Sequence, residues 1–330
     1  MGTGQSVITM GRIGVDLYPL QTGKGLEEVS TFGKFLGGSS TNVAVATARL
    51  GHDDVAAVTA VGGDPFGRWL RQEMRRLGVS DRYVQTVDDL PTPITFCEIF
   101  PPDNFPLYFY RRPTAPDLQL TPYDIPLGDI VNADVFWFTG TGLSQEPSFW
   151  AHMSALETRG RRAHTVFDLD WRDVFWRERR VAFDRYCDAL GLATVAVGNR
   201  EECEVAVGET DPERAADALL ERGVEIAIVK QGPRGTLAKT RSERVEVTPT
   251  TTTTVNGLGA GDAFGGSVID GLLRGLPLRT MIERASAAGA IVASRLECST
   301  AMPTPEEIDR VVAAGTTDVL EPWVPHLHTL

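Results

Sequence analysis

The sequence predicts an α/β protein built on a central, mostly parallel β-sheet with helices on both of its faces. Three observations support this prediction. Short apolar runs rich in β-forming residues recur along the chain, and the stretches between them have the periodicity of amphipathic helices. The composition, 42% hydrophobic and 23% charged, is that of an ordinary globular protein. A chain of 330 residues is therefore expected to form a single domain, with a small appendage.

The elements of this sheet follow in order along the chain. Strands are predicted at 6–10, 55–61, 134–139, 163–168, 194–198 and 224–229. Helices are predicted at 41–50, 66–77, 212–222, 262–273 and 278–294. Several of these helices begin at Asp, Ser or Thr and end at Gly, which are common helix-capping residues.

Two further segments, 29–36 and 93–112, have the pattern of extended strands without helices between them, and the second carries closely spaced aromatic residues. Such strands predict a small antiparallel sheet that projects from the main domain, with lid strands from about 12–36 and 90–113. We interpret this sheet as a lid over a substrate cleft. An ordinary hairpin or a dimer-forming edge is the alternative, and an exposed lid also favours a homodimer through the lid.

Charge and cysteine content argue against several classes of function. The net charge of -12, without a long Lys/Arg cluster, disfavours binding to nucleic acid or to a membrane. The four cysteines are far apart and form no CxxC motif, which predicts reduced thiols rather than a zinc site or disulfides. With no signal peptide and no apolar run of about 20 residues, the protein is expected to be soluble and cytoplasmic.

The glycine-rich loop from Val255 to Asp262 carries the clearest chemical signal. Its small residues allow successive backbone N–H groups to approach an anion, and the following helix adds roughly half a positive charge at its N-terminus. A transferred phosphoryl group would fit at Gly259, Ala260 and Gly261, with Asp262 accepting a proton from a nearby hydroxyl. From the residues alone, a structural turn in which Asp262 caps the helix is an equally good interpretation.

Neither of two other nucleotide-binding motifs fits the chain. A dinucleotide fingerprint would need glycine at position 262, and there is no GxxxxGK[ST] loop. A second glycine pair, Gly37 and Gly38, precedes Asn42, whose amide can donate to and accept from sugar hydroxyls. Asp16 can accept from the same hydroxyls. The alternatives are a helix-start residue for Asn42 and a turn cap for Asp16.

Taken in order, these motifs resemble the ribokinase, or PfkB, family of carbohydrate kinases. A glycine pair with Asn early and a GAGD loop late are typical of that family. The stretch 61–67 resembles its VGxDxFG motif, 199–202 resembles its NxxE motif, and 230–235 is similar to its nucleotide-contacting GxxG turn. The resemblance covers nearly the whole chain and implies a ribokinase-like fold with a small β-sheet lid.

By this resemblance the protein is an ATP-dependent kinase in which Asp262 is the general base and the amides from Gly259 to Gly261 form an anion hole. Asn199 and Glu202 would organise Mg²⁺, phosphate and water, with Glu202 acting on the metal through water. The residues implied for the nucleotide are Asn199, Glu202, Lys230, Gly232, Gly235, Gly259 and Gly261. Without the family pattern, Glu202 would be interpreted as a solvated helix residue.

One departure from the family concerns a potassium ion. Many members have Asp-Thr before the glycine-rich loop, where this chain has Asn256 and Gly257. A potassium cofactor is therefore left open, because a cation site that relies on that Asp would lack its carboxylate.

Two arginine-bearing segments indicate an anionic substrate. Arg111 and Arg112 are adjacent in a predicted strand, so only one of them can point into the cleft and pair with a carboxylate. Near 166–172 a strand ends in two alternating acids and Arg172, at the sheet edge where α/β proteins bind ligands. Arg172 could hold the same carboxylate, although each arginine alone would be an ordinary surface charge.

Both segments resemble the branch of the family that phosphorylates sugar acids, where FYR and DxDxR stretches occur beside a GRxGVDLYP opening and an NxLGAGD loop. The resemblance favours Arg111 over Arg112. The implied substrate-binding residues are Asp16, Gly38, Asn42, Phe109, Arg111 and Arg172. The implied reaction transfers phosphate from ATP to the 6-hydroxyl of 5-dehydro-2-deoxy-D-gluconate in inositol catabolism. The alternatives are 2-dehydro-3-deoxygluconate, another sugar, or a protein that binds sugar or nucleotide without turnover.

Overall fold

The computed structural model describes residues 4–324, which form two β-sheets and the helices that cover them. The strands are β1 (Ser6–Met10), β2 (Gly14–Pro19), β3 (Phe32–Gly37), β4 (Asp54–Gly62), β5 (Val84–Val87), β6 (Ile94–Cys97), β7 (Leu107–Tyr110), β8 (Val135–Thr139), β9 (Thr165–Asp168), β10 (Val195–Asn199), β11 (Ile226–Lys230), β12 (Thr236–Lys239) and β13 (Arg244–Val247). The α-helices are α1 (Ser39–Arg49), α2 (Pro65–Arg76), α3 (Leu127–Asn132), α4 (Ser148–Arg159), α5 (Arg179–Leu190), α6 (Arg200–Val207), α7 (Pro212–Glu221), α8 (Ala260–Leu273), α9 (Leu278–Ala293) and α10 (Pro305–Ala314).

The main sheet has nine strands in the order β13-β12-β11-β10-β9-β8-β1-β4-β5. From β11 to β5 every neighbouring pair is parallel, and β12 and β13 add an antiparallel hairpin at one edge. The predicted mostly parallel sheet is therefore confirmed. Each of the predicted helices and main-sheet strands is present, with boundaries shifted by no more than two residues, the usual uncertainty of element ends.

Helices cover both faces of the main sheet, as strand β8 demonstrates. Every residue of β8 is buried, and successive side chains point to opposite faces. Trp137 packs in the cluster that includes α1, α8 and α9, whereas Phe136 and Phe138 pack in the cluster that includes α4 and α5. Such double coverage explains why the main-sheet strands are continuous apolar runs rather than alternating ones.

The second sheet has four strands in the order β3-β2-β6-β7, and we call it the lid. Its outer pairs, β2 with β3 and β6 with β7, are antiparallel, but the central pair of β2 and β6 is parallel. The prediction of an antiparallel sheet is therefore wrong for this pair. Between β3 and β6 the chain passes through α1, β4, α2 and β5 of the main domain, so β6 enters the lid by a crossover connection instead of a hairpin turn.

Among residues 4–324 there is no helix that combines the length and the apolar character needed to cross a membrane. All four cysteines carry free thiols, and Cys97, Cys203 and Cys298 are buried. Burial raises the pKa of the Cys97 and Cys203 thiols, which keeps both protonated at neutral pH.

Candidate active site

An inner cavity of about 160 Å³ lies between the lid and the carboxyl ends of the main-sheet strands. The lid contributes side chains from β2, β6 and β7, and the main domain contributes the turns after β1 and β9 and the start of α8. Eight of the residues predicted from sequence line it: Asp16, Gly38, Asn42, Phe109, Arg172, Gly259, Gly261 and Asp262. The structure thus brings together residues more than 200 positions apart in the chain.

An outer cavity of about 620 Å³ adjoins the inner one. The two share Gly257 and Gly261, so the start of helix α8 forms part of the boundary between them. The residues predicted from sequence that line the outer cavity are Lys230, Gly232, Gly235, Ala260 and Gly261. Its far wall is largely apolar and comes from Phe264, Ala290 and Ala293, which suits a flat heterocycle.

The start of α8 requires glycine at position 259. Gly259 has φ of 82°, in the left-handed region, and a Cβ built there would lie 2.2 Å from Cys298 Sγ. The helix then begins at Ala260, and its first N–H groups have no partner within the helix. This turn presents unpaired N–H groups and the positive end of the helix dipole at the boundary of the two cavities.

Gly259→Ala should therefore lower both stability and activity. The substituted Cβ would meet Cys298 Sγ and occupy a disfavoured backbone region, which costs about 1 to 3 kcal/mol. We expect a lower Tm and a kcat reduced by at least about tenfold, because the N–H groups of the loop move. Circular dichroism melts and steady-state kinetics measure both.

Gly275→Ala is the matched control, because Gly275 also has positive φ, 61°, but its Cβ would meet nothing within 4 Å. A Gly259→Ala protein with unchanged kcat would show that the geometry of this turn does not matter for activity.

Asp262 lies in the first turn of α8 and faces the inner cavity. Asn42 Nδ2 donates a hydrogen bond to Asp262 Oδ2 at 2.9 Å, which fixes the orientation of the carboxylate. Desolvation raises the pKa of Asp262 to about 6, whereas the Asn42 hydrogen bond and the charge of Arg12 lower it. A carboxylate with this pKa is ionised at neutral pH and is more basic than an exposed one, which suits a general base.

Asn42 also offers a free acceptor. Its Oδ1 is buried and has no hydrogen-bond partner, so it is available to a hydroxyl group in the cavity. Gly38, which precedes helix α1, permits this arrangement, since a Cβ there would lie 2.3 Å from the carbonyl oxygen of Arg12.

Asp16 approaches the same cavity from the lid. It is buried on β2, and the Tyr18 hydroxyl donates to its Oδ2 at 3.2 Å. Burial raises the pKa of Asp16 to about 7, although Arg12 and the Tyr18 hydroxyl oppose the shift. Asp16 is therefore partly protonated at neutral pH and can both donate to and accept from hydroxyl groups.

Lys230 ends strand β11 and lines the outer cavity. A Cβ built on Gly261 would lie 3.5 Å from Lys230 Nζ, so the ammonium group reaches the start of α8. Although burial lowers it, the carboxylates of Glu202 and Asp168 raise the pKa of Lys230 above its ordinary value. The side chain remains a cation beside the N-terminus of α8.

Asn199 and Glu202 line neither cavity but form the capping box of helix α6. The Asn199 N–H donates to Glu202 Oε2 at 2.6 Å, and the Glu202 N–H donates to Asn199 Oδ1 at 2.9 Å. Glu202 is only 4% exposed, which rules out the interpretation as a solvated helix residue. Its Oε1 lies 3.8 Å from Arg172 Nη1, and a role in holding Mg²⁺ through water stays a prediction.

Arg111 lies outside the lining of the inner cavity. Its guanidinium donates to Asp117 Oδ2 at 2.8 Å and packs over the ring of Phe175, with 7% of the side chain exposed. It borders a side cavity of about 570 Å³ that shares Leu107 and Phe109 with the inner one. Arg112 is exposed but borders the same side cavity, and both arginines follow the end of β7 at Tyr110, so the predicted alternation of strand faces does not apply to them. Carboxylate binding by Arg111 stays a prediction.

Several cavity residues were not identified from the sequence. Arg12, Tyr18 and Cys298 line the inner cavity, and Cys298 Sγ lies 4.0 Å from Asp262 Oδ2. Arg12 and Tyr18 fall within the segment 11–19, which carries part of the family resemblance. That resemblance is the sequence feature from which they could have been identified. Cys298 has no motif around it and is placed only by the packing of the chain after α9.

Comparison with known proteins identifies the family of this chain and several relatives. A family model described as "pfkB family carbohydrate kinase" matches residues 5–305. The chain is 32% identical over 312 residues to a 5-dehydro-2-deoxygluconokinase of Listeria monocytogenes serotype 4b, covering 93% of this chain and 95% of the relative. It is 35% identical over 315 residues to a 5-dehydro-2-deoxygluconokinase of Photobacterium profundum, covering 91% of this chain and 92% of the relative.

The fold is similar to that of solved kinase structures. A putative ribokinase II from E. coli in complex with ATP and Mg²⁺ matches with a TM-score of 0.84 at 22% sequence identity, covering 94% of this chain and 99% of that chain. This likeness confirms the predicted ribokinase-like fold. With a family match across most of its length and relatives of similar size, the chain belongs to the pfkB family of carbohydrate kinases.

Proposed function

We propose that this carbohydrate kinase transfers the γ-phosphoryl group of ATP to the 6-hydroxyl of 5-dehydro-2-deoxy-D-gluconate. One observation carries the proposal: the turn from Gly259 to Asp262 lies between an inner cavity that contains two arginines, Arg12 and Arg172, and an outer cavity with the nucleotide motif. Two cationic side chains in a small polar cavity suit a sugar that carries a carboxylate. The names of the relatives support the same substrate.

In this proposal Asp262 removes the proton of the 6-hydroxyl as that oxygen attacks the γ-phosphorus. The new O–P bond forms while the bond to the β-phosphate oxygen breaks, so ADP leaves and the proton remains on Asp262. Asn42 holds the carboxylate in place and accepts from a sugar hydroxyl through Oδ1. The N–H groups from Gly259 to Gly261 stabilise the charge on the transferred group, since phosphoryl transfer depends mainly on positioning and electrostatics.

The nucleotide would occupy the outer cavity along Gly232 and Gly235, with Lys230 beside its phosphates. Asn199 and Glu202 would hold Mg²⁺ through water, and the ion would neutralise the negative charge of the phosphate groups. A potassium ion near Asn256 would meet a neutral amide instead of a carboxylate. This amide already donates to the Leu296 carbonyl and accepts from the Leu258 N–H. Rates measured in potassium and sodium salts show whether a monovalent ion contributes.

We also propose a homodimer through the lid and a cytoplasmic location. Tyr108 and Tyr110 expose 43% and 66% of their surface on the edge strand β7, and an exposed aromatic edge favours pairing with a second copy. The molar mass in solution tests the dimer. The free thiols fit a reducing compartment, and cell fractionation tests the location.

An ADP-release assay with Mg-ATP tests the substrate directly. The panel contains 5-dehydro-2-deoxygluconate, 2-dehydro-3-deoxygluconate, fructose, ribose and adenosine. Turnover confined to the first substrate supports the proposal. A preference for the second or for a neutral substrate contradicts the substrate assignment while keeping the kinase mechanism, and no ADP release across the panel contradicts turnover itself.

The pH dependence of kcat should follow the ionisation of Asp262. Its pKa is raised to about 6, and the base works only when ionised, so activity is present above this pH and is lost as the pH falls through it. We expect kcat to decline about tenfold per unit below roughly pH 5. Rates from pH 4.5 to 8.5 measure this, with circular dichroism to show that the fold persists; a flat profile in folded protein would contradict the assignment of Asp262 as base.

A further inference from the structure

The inner cavity contains an arginine, Arg12, whose guanidinium forms an ion pair but donates no hydrogen bond within residues 4–324. Arg12 lines the cavity with 11% of its side chain exposed. Its nearest acid is Asp170, with Nε 3.7 Å from Oδ2, and its charged end lies 5.7 Å from the centre of the Phe109 ring. A guanidinium with five donors in a largely buried position needs an acceptor, and the cavity is where one can enter.

The backbone of Arg12 is held firmly. Its carbonyl oxygen accepts hydrogen bonds from the hydroxyls of Ser40 and Thr41, each at 3.1 Å. The side chain therefore extends from a fixed backbone position just beyond the carboxyl end of β1.

Asp170 lies between Arg12 and the second cavity arginine, Arg172. It is 3% exposed and accepts from the hydroxyls of Ser39 and Thr141 at 2.7 and 3.0 Å. Arg172 Nη2 lies 3.2 Å from its Oδ1, on the side opposite the oxygen nearest Arg12. Although burial raises it, Arg172 and Arg12 hold the pKa of Asp170 below its ordinary value. One ionised carboxylate thus restrains both guanidinium groups.

The backbone conformation of Asp170 is also unusual. Its φ of 29° is unusual for a residue other than glycine. Such strain costs of order 1 to 3 kcal/mol and persists only where the surrounding contacts hold the backbone, here through the hydrogen bonds from Ser39 and Thr141 to the Asp170 side chain.

The charges of the cavity make these arginines necessary for an acidic substrate. Asp16 and Asp262 face the same space, and both would repel a sugar carboxylate when ionised. Arg111 does not compensate from its observed position, because it lies outside the lining of the inner cavity and its guanidinium donates to Asp117. Arg12 and Arg172 are therefore the cations that can offset the added negative charge.

We propose that Arg12 is a specificity-determining residue that binds the carboxylate of the sugar acid together with Arg172, and that Asp170 is a positioning residue that aims both guanidinium groups. Arg111, packed on Phe175, supports the wall of the cavity, since the Phe175 ring lies 4.8 Å from that of Phe109. This inference rests on the proposed function, because it names the group that selects an acidic substrate.

The test compares the acid 5-dehydro-2-deoxygluconate with its neutral amide as substrates. The quantity measured is the ratio of the two kcat/KM values. We expect the wild-type protein to prefer the acid, and Arg12→Ala to reduce this preference about 10- to 100-fold, as expected for loss of a charged hydrogen bond. Arg12→Lys should retain part of the preference, since it keeps the charge but not the planar fork. The KM for ATP should change less than about twofold.

Arg180→Ala is the matched control, since Arg180 lies on α5 with 87% of its side chain exposed and its removal changes the net charge equally. Thermal melts identify any variant that fails to fold. If Arg12→Ala does not fold, the ratio of the kcat/KM values for acid and amide measured with Arg12→Lys tests the role of Arg12 instead. Equal losses of kcat/KM for acid and amide, or a wild-type protein that does not prefer the acid, would overturn the role of Arg12. A wild-type protein that phosphorylates neither compound would instead overturn the proposed substrate and the inference with it.

Discussion

Asp262→Asn is expected to lower kcat by about 10³- to 10⁴-fold while leaving the affinity for ATP nearly unchanged. The substitution removes the only carboxylate in the first turn of α8 but preserves its shape. The amide oxygen of the new side chain can still accept from Asn42 Nδ2, so the local structure should be kept. The loss then reports the missing proton acceptor rather than a collapsed cavity.

Steady-state kinetics and nucleotide binding by calorimetry measure the two halves of this expectation. Asp184→Asn on α5 is the control, because this acid is 61% exposed and removing it changes the charge by the same amount. An Asp262→Asn protein with more than about a tenth of the wild-type kcat would show that another group, or water, accepts the proton.

Lys230→Met is expected to lower kcat about 10²- to 10³-fold, the second largest effect. The ammonium group lies beside Gly261 at the boundary of the two cavities, where the proposed reaction would place the transferred phosphoryl group. Methionine keeps the length and packing of the side chain but removes the charge. Because Glu202 and Asp168 would lose a neighbouring cation, we also expect a lower Tm.

Lys239→Met separates the loss of kcat expected for Lys230→Met from the loss of stability. Lys239 ends strand β12 as Lys230 ends β11, but its ammonium pairs with Glu213 and Asp217 and is not among the residues that line either cavity. The substitution Lys239→Met should lower the Tm without a comparable loss of kcat. Similar kinetics for both variants would mean that the Lys230 charge does not act on the phosphoryl group.

The main sheet could be predicted because its strands are short apolar runs that helices bury on both faces, and this pattern is local. The parallel pairing of β2 and β6 could not. It depends on the path of the chain through the main domain between residues 37 and 94, which no local pattern records. The antiparallel edge strands β12 and β13 were also not identified, since neither forms a continuous apolar run: buried and exposed residues alternate along β13, and β12 contains Thr236 and Lys239.

The site was predicted where a motif ties residue type to backbone geometry, as at Gly259 and Asp262. Arginine roles were harder to predict, because an arginine's function depends on its partner in space. Arg111 is engaged by Asp117, six residues further on, whereas Arg12 has no hydrogen-bonded acid within residues 4–324. Neither fact is visible in the spacing of residues along the chain. Glu202 was identified only through the family pattern, and its burial comes from tertiary packing.

The position of the phosphate in the product tests directly whether the 6-hydroxyl of the sugar acid is phosphorylated. Wild-type protein is incubated with Mg-ATP and 5-dehydro-2-deoxygluconate, and the product is examined by ³¹P–¹H correlation NMR. If the proposed reaction is right, one new phosphate monoester coupled to the protons on C6 will form, with one ADP per product. A phosphate on another oxygen, or ADP release without any sugar phosphate, would contradict it.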